Sequence, residues 1–211
     1  TWKMPERYKE FSDAATDSSK GNPANWTVLL NYKVKGLCPT SGTRVWKLNG
    51  QTVTPTVVNA AKPCELKLVR PNLEQFNLSL EAKSPSGASL GTAHQDIQPR
   101  DLVIVSLGDS MSSGEGVPQR SGRQWENDPC HRSGESGMAQ AARRIENDNN
   151  LDTDEDEHSS VTFVHLACSG ASTRHLMDSF FAGVTGGGLE NPQLFALQSI
   201  IGDREVDVVL M

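Results

Sequence analysis

The chain has 211 residues, 36% of them apolar, with 18 glycines and 11 prolines. That is the stock of one large or two small globular domains rich in loops, and it excludes disordered, collagen-like and repeat architectures. No apolar run approaches the ~20 residues a membrane-spanning helix needs, and 20 Lys and Arg against 26 Asp and Glu, a formal net charge of −6, argue against nucleic acid as a partner.

Residues 1–24 are polar, with Trp2, Met4, Tyr8 and Phe11 as their anchors, and are expected to form an N-terminal arm or a short helix. Strand signals follow over 25–98. Trp26, Val28, Leu30, Tyr32 and Val34 alternate with Thr27, Leu29, Asn31 and Lys33, the period of a half-buried strand. Arg44–Leu48 and Gln51–Thr54 flank Asn49-Gly50, the dipeptide that tolerates two positive φ angles, and read as a hairpin. Two further alternating runs are Cys64, Leu66, Leu68 and Phe76, Leu78, Leu80, Ala82; Ser84-Pro85-Ser86-Gly87 is a turn before a closing strand over Leu90–Ile97. Some six short strands with no amphipathic helix between them resemble a small all-β sandwich of immunoglobulin-like type.

The pattern changes at Pro99-Arg100. Leu102-Val103-Ile104-Val105 is a continuous apolar run, as expected of a strand buried on both faces of a parallel sheet. Met138, Ala141, Ala142 and Ile145 place a helix over Ser136–Asp148, and Val161–Ala167 is a second buried strand. Asn191-Pro192 opens another helix that Gly202 ends, and Val206–Met211 is a third apolar strand. Residues 99–211 therefore read as a βαβ domain with right-handed crossovers.

Cys38, Cys64, Cys130 and Cys168 lack the Cys-x-x-Cys spacing of a zinc or redox site. They fall as two pairs, one in each half of the chain. Two disulfides, Cys38–Cys64 and Cys130–Cys168, imply an oxidising compartment; four buried thiols is the other reading. With disulfides the protein is expected to be secreted or extracellular, the cell surface and periplasm included.

Ligands of such open α/β sheets bind beyond the carboxyl ends of the strands. Two Gly/Ser-rich loops follow those ends here: Gly108-Asp109-Ser110-Met111-Ser112-Ser113-Gly114-Glu115-Gly116, and Ala167-Cys168-Ser169-Gly170-Ala171. A glycine before Asp109-Ser110 lets the strand turn sharply and presents the Ser110 hydroxyl, with backbone N–H groups nearby for an oxyanion. These blocks, with Cys130-His131-Arg132-Ser133, resemble the SGNH (GDSL) family of serine esterases and lipases, in its secreted bacterial lipase-like branch.

The resemblance covers residues 100–211, about the first half of that family's catalytic domain, and implies an α/β three-layer parallel sheet that is incomplete in this chain. It implies Ser110 as nucleophile, the Ser110 and Gly170 N–H groups as oxyanion donors, and a Cys130–Cys168 disulfide. It also places the Gly-x-Asn-Asp and Asp-x-x-His blocks in a missing C-terminal segment, in cis or on a separate chain, that would cover the otherwise bare edge of the third strand. Without an imidazole base Ser110 is a weak nucleophile. Asp128-Pro129-Cys130-His131 matches Asp-x-x-His as letters, so His131 is a candidate base within the chain; a loop histidine at the mouth of the site is the plainer reading. His165 is expected to be a core or strand-end histidine.

Other signals point less far. Asp152, Asp154, Glu155, Asp156 and Glu157 lack the glycine of a calcium loop and read as a solvated connector. Gly186-Gly187-Gly188 lacks the Lys-Ser/Thr of a phosphate loop. No metal or cofactor is expected. The long loop from Ser112 to Gly134 has the length of a functional lid, with Trp125 lining an acyl or sugar pocket or anchoring the loop. The expected function is a secreted hydrolase of carboxylic esters, the substrate being a lipid, a small-acyl ester or an acetylated polysaccharide, and the sandwich binding a polysaccharide or cell-surface ligand. The alternative is a non-catalytic binding or structural module built on a hydrolase-like half-domain.

Overall fold

The computed structural model describes residues 1–7, 16, 18–34, 37–39, 41–118, 125–148, 158–186 and 188–211. The chain divides into two compact units, one made of Thr1–Pro5, Ala24–Arg100 and Thr153–Ser159, the other of Glu6–Pro23, Asp101–Asp152 and Ser160–Met211.

The first unit contains β1 (Trp2–Lys3), β2 (Trp26–Asn31), β3 (Thr43–Leu48), β4 (Gln51–Val53), β5 (Thr56–Asn59), β6 (Lys62–Arg70), β7 (Phe76–Lys83) and β8 (Ser89–Ile97). They form two antiparallel sheets in the orders β1-β2-β6-β5 and β4-β3-β7-β8. The alternating sequences bury one face of each sheet. Val28, Leu30 and Leu66 from one sheet meet Trp46, Phe76 and Leu78 from the other in a single cluster, so the unit is sandwich-like. Each such side chain stabilises the fold by about 1.5–3 kcal/mol. Asn49 and Gly50 have φ of 48° and 83°, the two positive values a tight hairpin between β3 and β4 requires. A disulfide joins Cys38 to Cys64 on β6.

Within residues 1–24 the structure has a short strand, β1, ahead of the short helix α1 at Ser18–Gly21. β1 pairs with Leu29 and Leu30 of β2, and Trp2 is buried and stacked on His158 at 3.8 Å. Tyr8 and Phe11 lie outside the described residues, as do the acidic residues 152–157, Gly187 and positions 119–124 of the long loop.

The second unit contains α1 (Ser18–Gly21), β9 (Arg100–Ser106), α2 (Ser110–Ser113), α3 (Gly137–Asp148), β10 (Ser159–His165), α4 (Thr173–Met177), α5 (Gln193–Ile201) and β11 (Val208–Leu210). Its sheet has the order β10-β9-β11, with β11 parallel to β9 and Val208 opposite Ile104. Val103, Ile104 and Val105 of β9 and Val161, Phe163 and Val164 of β10 are all buried. The reason is that helices cover the sheet: Ala139 and Ala142 of α3 and Leu197, Ile200 and Ile201 of α5 join the same cluster. Gly21 allows α1 to approach α5, since a Cβ there would stand 2.3 Å from Ile200 Cγ2. Among the described residues no helix is long and apolar enough to cross a membrane.

The amino-terminal end of this sheet is occupied by charge. The Asp101 side chain is fully buried and bonded to Arg204 at 2.5 Å, to Arg7 at 3.5 Å, to Ser160 Oγ at 2.5 Å and to the Thr162 hydroxyl. Nearby Glu146 of α3 is also buried and accepts the Arg7 amide at 3.3 Å, while its Oε2 has no hydrogen-bond partner among the described residues. Burial pushes the Glu146 carboxyl up to about 7.

Candidate active site

The carboxyl end of β9 turns at Gly108, whose φ of +115° suits a residue without Cβ. Both polar groups of its peptide are held. The buried Gln193 side chain, at the start of α5, accepts from Gly108 N–H at 2.8 Å and donates to Gly108 O at 2.8 Å, and Cys168 N–H donates to the same oxygen at 3.1 Å. Asp109 then caps the short α2 by accepting from the Met111 amide at 3.1 Å. Ser110 follows as the first residue of that helix, half-buried.

Backbone bonds fix Ser110 in place. Its carbonyl accepts from Gly114 N–H at 3.2 Å, Glu115 N–H at 3.0 Å and Ser113 Oγ at 3.1 Å. Gly114 closes the helix in the left-handed region, at φ 91°, and a Cβ there would lie 2.7 Å from Ser136 Cβ. The Ser110 hydroxyl and the Ser110 N–H have no hydrogen-bond partner among the described residues.

A second loop is laced to this one. Cys168, three residues past the end of β10, forms a disulfide with Cys130, and Ser169 N–H donates to Cys130 O at 2.9 Å. Gly170 comes next, exposed, with φ 80°. Its N–H is also without a partner among the described residues. Phe181 and Val184 flank it, 3.3 and 3.4 Å from where its Cβ would be. Ser110 and Gly170 thus sit on neighbouring loops at the same end of the sheet, each with a backbone donor unsatisfied.

The third loop carries His131. Its Nδ1 lies 2.7 Å from Glu115 Oε2, and its ring stacks on Trp125 with centroids 4.6 Å apart and planes 9° from parallel. Trp125 is buried beneath it, at 8% exposure. The Ser169 side chain nearby, and His131 beside it, hold the Glu115 carboxyl below the usual range while burial opposes them. His131 adopts φ +48°, unusual for a residue with a Cβ. Its Nε2 has no hydrogen-bond partner among the described residues.

The remaining polar residues support this arrangement. Arg132 is buried, donating to Ala167 O at 2.9 Å and to Glu190 Oε2 at 3.1 Å. Burial lowers its pKa, with Glu190 opposing the shift. His165 is a strand-end histidine but is only half satisfied. Its Nε2–H donates to Ser112 O at 3.1 Å, whereas its Nδ1 is buried with no partner among the described residues. Burial, then the Arg132 charge, pushes its pKa down to about 3, so it stays neutral and braces α2. His175 accepts from Ser172 N–H at 3.0 Å as part of a helix-capping box and stacks on Phe181. His94 is exposed on β8. Among the described residues no group of three or more His, Cys, Asp or Glu is placed to hold a metal.

Sequence reasoning singled out Ser110, Gly170 and His131 but gave no role to Glu115, Ser169, Glu190 or Gln193. The Ser172-x-x-His175 cap lacks the Glu or Gln of the usual capping pattern, and the clamp from Gln193 joins a glycine 85 positions away, so neither has a local signature. No family model, curated protein or solved structure matches the chain.

Proposed function

We propose that this protein is a secreted SGNH-type serine hydrolase of carboxylic esters. In this reading residues 99–211 are the first half of the catalytic domain, a three-layer α/β fold completed by a segment outside the 211 residues, and residues 25–98 are an immunoglobulin-like module that binds a polysaccharide or cell-surface ligand. Ser110 attacks the ester carbonyl, and the Ser110 and Gly170 N–H groups receive the oxyanion. The family's Asp-x-x-His block supplies an imidazole from outside this chain.

One observation carries the reading: where β9 and β10 end, on adjacent loops at one end of the sheet, the Ser110 hydroxyl and the Ser110 and Gly170 N–H groups have no hydrogen-bond partner among the described residues. Unsatisfied donors positioned in advance are what a developing alkoxide needs. Phe181 and Val184 beside Gly170, and Met111 at 85% exposure beside Ser110, suit an acyl substituent better than a charged one. The two disulfides are compatible with export.

The rival reading, a non-catalytic platform, draws on the lack of any hydrogen bond from the described residues to the Ser110 hydroxyl. Hydrolysis of p-nitrophenyl acetate, butyrate and octanoate by the protein from its natural source separates the two. Replacing Ser110 by Ala is expected to reduce kcat/KM by about 10⁴-fold or more. Turnover at an unchanged rate by Ser110→Ala would end the hydrolase reading.

A further inference from the structure

His165 and Arg132, which brace the loops around Ser110, also line a cavity of about 310 Å³. Lys20, Glu126, Glu190 and Ala196 stand on its other walls, and all six residues belong to the second unit. We propose that this cavity binds a small neutral polyol or monosaccharide, whose hydroxyls accept from Arg132 Nη1 and donate to His165 Nδ1. The proposal goes beyond the hydrolase reading and does not depend on Ser110 being a nucleophile.

The first observation is a complementary pair of polar atoms. His165 is fully buried, and its Nε2–H is taken by Ser112 O at 3.1 Å, so Nδ1 holds a lone pair to which no described residue donates. The Arg132 side chain is 7% exposed. Its Nε donates to Ala167 O at 2.9 Å, and its Nη2 to Cys130 Sγ at 3.3 Å and Glu190 Oε2 at 3.1 Å. That leaves Nη1 without a hydrogen-bond partner among the described residues. Buried polar groups in folded proteins are nearly always paired, and here one acceptor and one donor face the same cavity. Burial, then the nearby Arg132 charge, keeps the His165 ring neutral, so Nδ1 stays an acceptor. A donor arriving at Nδ1 agrees with the tautomer that Ser112 O requires.

The second observation is charge. Lys20 and Arg132 balance Glu126 and Glu190, so the walls carry no net charge. An anion entering would meet the Nδ1 lone pair and two carboxylates, and a cation would meet the guanidinium. A hydroxyl both accepts and donates, which suits the two kinds of wall atom together.

The third observation is size. The volume is at the small end of the roughly 300–1,000 Å³ usual for small-molecule pockets, and far exceeds the share of about 30 Å³ that one water takes in the liquid. Ala196 contributes only a methyl group to the α5 wall. Lys20, Glu126 and Glu190 are half-buried, so their side of the cavity reaches solvent.

The test is titration of the 211-residue chain, labelled with ¹⁵N at histidine, with glycerol, myo-inositol and D-glucose. Two-bond ¹H–¹⁵N spectra distinguish the two ring nitrogens and read the lone-pair nitrogen directly. At least one of the three polyols is expected to move the His165 Nδ1 resonance upfield, saturating at millimolar concentration, as suits a ligand of about 6–12 non-hydrogen atoms. Acetate and methylammonium at equal concentration are expected to leave it in place. Ala196→Leu, which fills the cavity from α5, is expected to raise the dissociation constant by about tenfold or more, with Ala196→Val read in its place if the leucine variant does not fold. A resonance that none of the polyols moves overturns the proposal and makes the cavity a site for water alone. A shift that acetate or methylammonium produces equally also overturns it, as does one that the Ala196 variant leaves unchanged. Activity of Ser110 enters none of these readouts, so the p-nitrophenyl ester assay decides the hydrolase reading separately.

Discussion

The two ends of the β10-β9-β11 sheet handle polar groups in opposite ways. At the amino-terminal end the Asp101 carboxylate is fully buried, and two arginines and two hydroxyls surround it. At the carboxyl-terminal end the Ser110 hydroxyl, the Ser110 and Gly170 N–H groups and His131 Nε2 are left without partners among the described residues. The same three strands lead into both. Satisfied polar groups hold a fold in one state, and unsatisfied ones at an accessible edge are available to a ligand. On the proposed reading, one end of the sheet serves stability and the other serves the chemistry of Ser110.

Three substitutions test that division, beginning with the largest expected effect. Asp101→Asn leaves Arg7 and Arg204 facing a neutral amide and should destabilise the fold by about 3–5 kcal/mol, measured by urea unfolding. Hydrolysis of p-nitrophenyl esters per folded molecule should be unchanged; a fall in that rate would show that the two ends are coupled.

Glu146 is the exception at the amino-terminal end, a buried carboxyl with one oxygen that no described residue satisfies. Its pKa is about 7 in the fold against an ordinary 4.5. Between those values the unfolded chain has released this proton and the folded chain still holds it, so stability falls as pH rises through that window, by about 3 kcal/mol. Glu146→Gln should flatten the decline between pH 5 and 8 and raise stability at pH 8. Parallel curves for the two proteins would mean the carboxyl titrates normally.

Gln193→Ala has the smallest expected effect on the fold and a selective one on the site. It removes both hydrogen bonds to Gly108 and should cost about 1–3 kcal/mol. Because Gly108 sets the turn into Ser110, ester hydrolysis should slow by about tenfold or more once the serine is displaced. A variant destabilised this much but hydrolysing esters at full rate would show that the clamp serves stability alone.

How much of this was legible follows from how local each signal is. The alternation of Trp26, Val28 and Leu30, the Asn49-Gly50 hairpin, the apolar runs of β9 and β10 and the Gly202 end of α5 are written in neighbouring residues, and the structure has elements at those places. β1 is two residues long and exists through its pairing with β2. β5 exposes every residue, so it carries no alternation to read. α2 and α4, of four and five residues, are too short for a helical period.

The same holds at the site. Ser110 and Gly170 lie in recognisable Gly/Ser blocks, whereas Glu115 gains its role from a histidine 16 positions away and Gln193 from a glycine 85 positions away. Asp101 looks, in sequence, like an ordinary charged residue at the edge of a strand. Only the fold brings Arg7 and Arg204 to it.

That pairing also sets a timetable for biosynthesis. Residues 6–23 belong to the second unit although 24–100, nearly all of the first, separate them from the rest of it. Arg7 leaves the ribosome 94 residues ahead of its carboxylate partner, a wait of roughly 5–20 s at ordinary elongation rates. The sandwich-like unit is nearly contiguous and has that interval in which to fold, while the tethered arm must stay uncommitted until Asp101, and later Arg204, emerge to receive it.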